Sequence, residues 1–141
     1  MKIRTFESDD AAAVIELWRR CDLTRPWNDP WRDIERKVAV SDDLFLVGTI
    51  ADVVVATGMA GYDGHRGWVN YLAVDPDRRS AGLGRAMMDE VEIRLRALGC
   101  PKINLQVRTS NPAAIAFYER LGFAVDDAVS LGKRLESDEP S

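Results

Sequence analysis

The sequence predicts an α/β chain in the mixed, α+β sense: a mostly antiparallel sheet with one β-α-β crossover and helices on both faces. Three observations predict it. The order of elements reads β-α-α-β-β-β-α-β-α-β-β. A glycine-bearing segment at residues 79–85, "RSAGLGR", stands between a strand-like run and a helix-like run, where a crossover has to turn. The chain has 141 residues, 46% hydrophobic and 30% charged, which suits one core and not two. The folded domain is expected over residues 1–135, and the tail 136–141, "ESDEPS", is expected to be disordered.

Each element has its own signal. "KIRTF" alternates as a short strand, and Ser8 or Asp9 is a cap for a helix whose Val14, Leu17, Trp18 and Cys21 recur at i, i+3, i+4, i+7. "DLTRPWNDP" interrupts, after which Asp29 as N-cap and Pro30 at the first helical position open a second helix with Trp31, Ile34 and Val38 inward. "LFLVGTI" and "VVVATGMAGY" are β-rich runs parted by Ala51-Asp52, a poor turn pair, whereas Asp63-Gly64 starts a better-signalled hairpin into "GWVNYLAV". From Leu83 to Leu98 the pattern is helical, with Met88, Val91, Leu95 and Leu98 on one stripe and Gly99 as the stop. In "INLQV" Ile103, Leu105 and Val107 face one way, Asn104 and Gln106 the other. Asn111-Pro112 then opens a short helix, "AAIAFYERL", closed by Gly122, and two final strands flank Asp126-Asp127.

Charge and composition exclude several functions. A formal net charge of -4 and a pI near 5.0 argue against a protein held to nucleic acid by phosphate contacts. The start "MKIRTFESDD" lacks an apolar stretch behind its charges, and no run approaches the ~18 apolar residues of a membrane span, so a cytoplasmic location is expected. Cys21 and Cys100 read as two reduced, partly buried thiols, and a single histidine, His65, cannot assemble a zinc site, so no metal is expected.

The glycine segment is the chemical clue. A strand ending at Val74, a turn at Asp75-Pro76 and a helix beginning near Gly82 gather free backbone N–H groups at one point, and the helix dipole adds partial positive charge. Such a point holds an anion such as a pyrophosphate, with Arg79 and Arg85 at its rim, and side chains at 82 and 84 would obstruct it. Gly84-Arg85-Ala86 fails the Gly-Lys-Ser/Thr of a Walker A loop, and no third glycine completes a dinucleotide fingerprint.

Two motifs then match a known family. "LAVDPDRRSAGLGRAMM" resembles the acetyl-CoA-binding motif of the GNAT N-acetyltransferases, Gln/Arg-x-x-Gly-x-Gly/Ala, as Arg79, Gly82 and Gly84. "VRTSNPAAIAFYERLGF" is similar to that family's second motif, as Asn111, Ala114, Phe117, Tyr118, Gly122 and Phe123. The runs "CDLTRPWNDP", "GYDGHRG" and "VSLGKRL" further resemble its short bacterial YpeA-type branch. The resemblance spans nearly the whole chain.

It implies a set of roles. Acetyl-CoA is the co-substrate, bound by the backbone of Leu72, Ala73 and Val74, by Arg79, Ser80, Ala81, Gly82, Leu83, Gly84 and Arg85, and by Asn111, Ala114 and Tyr118. The amide of Leu72 polarises the thioester carbonyl, and Tyr118 is the general acid for the departing thiolate. Where the branch acting on ribosomal-protein N-termini carries a glutamate, this chain has Gln106, whose amide is no useful base, so that activity is disfavoured. The base stays open among Asp63, His65, Asp29, Asp33 and a water polarised by Asn70 and Tyr71. His65 is poorly placed, since strand 68 to 74 puts it roughly 15 to 20 Å from Val74 at ~3.3 Å per residue. Trp27 and Trp31 are candidates for an aromatic wall of the acceptor pocket, Asp29 for an anchor of a cationic amine, and Asn70 for a substrate contact. The expected reaction moves an acetyl group to a primary amine, of a small molecule or a protein, by direct attack in a ternary complex, with no nucleic-acid or membrane partner and a homodimer left open. Two alternatives are a non-catalytic acyl-CoA-binding module and a β-sheet protein interacting through exposed tryptophans.

Overall fold

Alternating apolar residues in consecutive runs build the sheet, which a computed structural model describes over residues 1–139. Strands β1 (Lys2–Thr5), β2 (Phe45–Ile50), β3 (Val53–Tyr62) and β4 (Gly67–Val74) pair antiparallel in chain order, and β5 (Ile103–Leu105) joins β4 in parallel. Helices α1 (Ala11–Arg20) and α2 (Pro30–Val40) precede β2, α3 (Leu83–Ala97) is the crossover between β4 and β5, and α4 (Pro112–Arg120) follows. This is the expected mixed sheet with one β-α-β unit.

In place of the single core expected, the pleat sends alternate residues to two cores, one on each face of the sheet. Phe45, Val47, Met59 and Ala73 meet Val14, Ile15, Leu17 and Trp18 of α1, while Leu46, Ala56, Ala60 and Val69 meet Met87, Met88, Val91 and Leu95 of α3. Each of the larger side chains, Val, Leu, Ile, Phe and Met, contributes about 1.5–3 kcal/mol on burial, so the two layers fix the strand register. The Ala51-Asp52 pair closes its hairpin despite lacking glycine, with both residues left-handed at φ +50 and +62. Such mirror-image turns follow sheet twist, and the flanking strands hold the strain.

Strand β4 carries the irregularity that matters most. Thr57 pairs with Ala73 and Met59 with Asn70, so Tyr71 and Leu72 together oppose Gly58 alone. This bulge explains why Val69 faces the α3 core and Ala73 the α1 core, although residues four apart on a regular strand share a face. Tyr71 has φ +52, a left-handed conformation that a bulky residue adopts only when its surroundings impose it.

Several expectations are corrected. Neither Ser8 nor Asp9 caps α1; the Asp10 carboxylate instead accepts the Glu7 N–H at 2.8 Å and grips Arg4 through bonds of 2.7 and 2.9 Å. On α2 only Ile34 is buried, with Trp31 48% and Val38 55% exposed, because the helix leans on α1 along one narrow line. On α3 Met87 replaces Leu98 in the buried stripe. The two final strands do not form among the described residues: β5 ends at Leu105, and Asp126 is taken by the side chains of Lys102 and Asn104 at 2.8 Å each in place of a backbone ladder. The tail also differs up to Glu139, since Asp138 has a buried side chain that accepts the Asp29 N–H at 2.9 Å and pairs with Arg36. Residues 140 and 141, part of the same expectation, lie outside the described residues.

Candidate active site

The turn after β4 is drawn tight by Asp75. Its carboxylate accepts the Asp77 N–H at 2.9 Å and Arg20 at 2.8 Å, contacts that hold it below the usual carboxylate range and pin the loop to the end of α1. Beyond it Arg79, Ser80 and Ala81 are exposed; Ser80 and Gly82 are left-handed at φ +71 and +77, and Gly82 passes directly into α3. No side chain caps that helix, and a Cβ on Gly82 would meet nothing within 4 Å. The first-turn N–H groups of Leu83, Gly84 and Arg85 thus lie beside open space without a side-chain acceptor, which suits an anion held by main chain.

Gly84 is small for another reason. A Cβ there would come within 3.1 Å of Phe117 and 3.6 Å of Val74, so its absence lets α4 close on α3 and the end of β4. The glycine segment, Val74 and the second motif's helix therefore meet at one point. Arg85 reaches the Arg120 carbonyl at 3.4 Å, and the Val74 carbonyl accepts the Cys21 thiol at 3.2 Å.

Beside the bulge β4 and β5 cease to pair, and a cavity lies along β5 there. Their pairing stops at Val69 and Leu105, just before Asn70, which is exposed, and the unpaired Tyr71 and Leu72. Asn111 caps α4 by accepting the Ala114 N–H at 3.1 Å, and from this helix the ring of Tyr118 packs edge-on against Phe117 and Phe123. Burial alone pushes the Tyr118 phenol up to about 12, so it is a proton donor at neutral pH. Tyr118, Asn70 and Gln106 line a cavity of about 1230 Å³ along β5 and α4, which none of residues 72–74 or 79–85 lines.

On the α1 face, Tyr71 stacks on Trp18 with centroids 3.8 Å apart and donates its hydroxyl to Asp33 at 2.6 Å. Burial first, and the Asp33 carboxylate second, push this phenol far above its ordinary range. Asp33 also meets Arg36 at 3.3 Å. Asp29 is occupied as the α2 cap, accepting the Trp31 N–H at 2.9 Å. Trp27 is exposed and carries the Arg108 guanidinium 5.8 Å from its ring, while Trp31 joins no wall. Trp27, Arg36, Gln106 and Arg134 line a second cavity of about 630 Å³, so Gln106 borders both.

The hairpin candidates are kept apart from this group. Asp63 accepts the N–H groups of Arg66 and His65 at 2.7 and 2.8 Å, which hold its carboxyl below the usual range, and His65 is exposed in the turn between β3 and β4. Among the described residues no cluster of three or more His, Cys, Asp or Glu could hold a metal, and no helix is long and apolar enough to cross a membrane. The residue missed in the sequence is Thr57, wholly buried beside the bulge and bonded to both Trp18 and Tyr71. Its only signal is a hydroxyl in the middle of an apolar strand run.

Comparison with known proteins gives a consistent result. The model of the acetyltransferase (GNAT) family matches residues 11–123. The chain is 52% identical over 138 residues to an acetyltransferase of Pectobacterium atrosepticum, covering 98% of each. It is 54% identical over 140 residues to one of Sodalis glossinidius, covering 99% of each. Among solved structures, the ribosomal-protein-S18-alanine N-acetyltransferase of Escherichia coli aligns with a TM-score of 0.68 at 29% identity, over 86% of this chain and 76% of that one.

Proposed function

The chain belongs to the acetyltransferase (GNAT) family and is an acyltransferase, and from that premise we propose that it moves an acetyl group from acetyl-CoA to a primary amine by direct attack in a ternary complex. The observation that carries this reading is the parting of β4 from β5 at Tyr71, beside an uncapped helix N-terminus. The main chain of residues 82–85 fits the pyrophosphate, and the freed edge at Leu72, Ala73 and Val74 fits an extended amide-bearing arm added like a strand. The acetyl thioester supplies the activated carbonyl.

The chain's own groups divide the remaining work. The Leu72 N–H stabilises charge on the carbonyl oxygen, a contribution of several kcal/mol in such sites. Tyr118 gives its proton to the leaving sulfur as the C–S bond breaks. Asp33, acting through the Tyr71 hydroxyl bonded to it, takes the proton that the amine loses as its C–N bond forms. Tyr71 packs with the α1 core and Tyr118 with the α3 core, so base and acid reach the cleft from opposite faces of the sheet. That arrangement suits an amine entering on one side and a thiolate leaving on the other. Gln106, whose amide donates to Ser130, has no proton-accepting part.

The test is release of CoA thiol from acetyl-CoA across a panel of amines, alongside calorimetric CoA binding. Thiol release with at least one amine is expected. Tight binding with no release for any amine would leave a binding module, and no binding would overturn the reading altogether.

A further inference from the structure

We propose that Thr57 is a positioning residue for acetyl transfer, turning the Tyr71–Leu72 peptide so that the Leu72 N–H faces the cleft. The inference rests on the acyl-CoA reading above. Thr57 is wholly buried on β3, next to Gly58, the residue that faces the bulge. Its hydroxyl donates to the Tyr71 carbonyl at 2.8 Å and accepts the Trp18 Nε1–H at 2.9 Å. Trp18 is itself wholly buried and stacks on the Tyr71 ring, so the chain Trp18 to Thr57 to Tyr71 is anchored at both ends.

Peptide planarity makes this contact directional. The C=O of residue 71 and the N–H of residue 72 belong to one trans unit and point opposite ways. A carbonyl drawn toward Thr57 on β3 therefore sends the Leu72 N–H away from β3, to the side of β4 that β5 leaves after Leu105. The same bond helps a bulky residue persist at φ +52: Tyr71 has no register partner on β3, and its carbonyl accepts from the Thr57 side chain. A single donor thus holds both the strained backbone and the direction of the amide.

The test compares Thr57→Val, which keeps the volume and loses the hydroxyl, with Thr57→Ser, which keeps the hydroxyl and loses a methyl. Thr57→Val is expected to lower kcat about 10- to 100-fold with acetyl-CoA affinity nearly unchanged, and Thr57→Ser to restore most of it. The Leu72 amide is followed separately by ¹⁵N–¹H NMR with CoA and with acetyl-CoA. In the parent it should respond to the acetyl group, and in Thr57→Val that response should vanish. A parent-like response or a parent-like kcat in Thr57→Val overturns the proposal, as does an equal kcat loss in Thr57→Ser. Failure of the parent itself to bind acetyl-CoA overturns the acyl-CoA reading and the proposal together, which separates the two failures. Should Thr57→Val not fold, Thr57→Ala removes the same hydroxyl without new methyl contacts and carries the same outcomes.

Discussion

At the α3 end of β4 the cleft offers main chain, and at the α2 end it offers side chains. Around Gly82 the useful groups are backbone N–H donors, left uncapped, with left-handed residues at 80 and 82 shaping the turn. Around Tyr71 the useful groups are a phenol, the Asp33 carboxylate and a buried threonine, each fixed by a neighbour on a different element. A backbone site needs only a strand, a tight turn and a helix start in sequence. A side-chain site needs three elements to arrive at set distances, so changes at the two ends should fail in different ways.

The largest effect is expected at the main-chain end. Gly82→Val puts a β-branched residue at φ +77 and a side chain into the space beside the free N–H groups, so CoA affinity should fall by about 100-fold or more. Gly84→Val instead presses on Phe117 and should first cost stability, about 1–3 kcal/mol. Calorimetry and thermal melts on both variants check this; equal loss of stability with unchanged affinity at Gly82 would erase the distinction between the two glycines.

At the side-chain end the effect falls on rate. Asp33→Asn keeps a partner for the Tyr71 hydroxyl but removes the proton acceptor, so kcat should drop about 10- to 100-fold with acetyl-CoA affinity nearly unchanged. Steady-state kinetics with an identified amine decide it, and a parent-like kcat would return the base to ordered water near Asn70.

The smallest effect is on alkaline stability. The folded pKa of Tyr118 is raised from about 10 to about 12, so the fold binds the proton more tightly than the unfolded chain does. Its contribution is present below pH 10 and lost as pH rises toward 12. Melting temperature should fall over that window, and less steeply in Tyr118→Phe; identical slopes would mean that the phenol is not desolvated.

This division also explains what could be read in advance. The glycine segment, Asn111 as a helix cap and the β-α-β crossover were legible because each depends on local backbone geometry and short spacing. The inward face of α2 was not, since period alone makes Trp31 and Val38 equivalent to Ile34, and only packing against α1 chooses among them. The final strands are absent for a related reason: Asp126-Asp127 suits a break between two strands, but the Lys102 and Asn104 side chains bind Asp126 and no ladder forms on either side of it among the described residues. Asp138 looked like solvated tail until Arg36 and the Asp29 N–H enclosed it. Asp33 could be singled out as a carboxylate near the acceptor side, yet its bond to Tyr71 crosses 38 residues and depends on the bulge.

If acid and base serve one transfer from opposite sides of the cleft, Tyr118→Phe under single-turnover conditions should slow the chemical step and leave binding intact. Phenylalanine keeps the edge contacts with Phe117 and Phe123 and removes only the proton donor. Because burial raises the phenol to about 12, the parent should show no loss of this acid through pH 9, and the variant's deficit should be even across that range. The expected single-turnover rate is lower by roughly 10²-fold with acetyl-CoA affinity unchanged. A parent-like rate, or a loss of affinity and stability together with the rate, would contradict the pairing of acid and base.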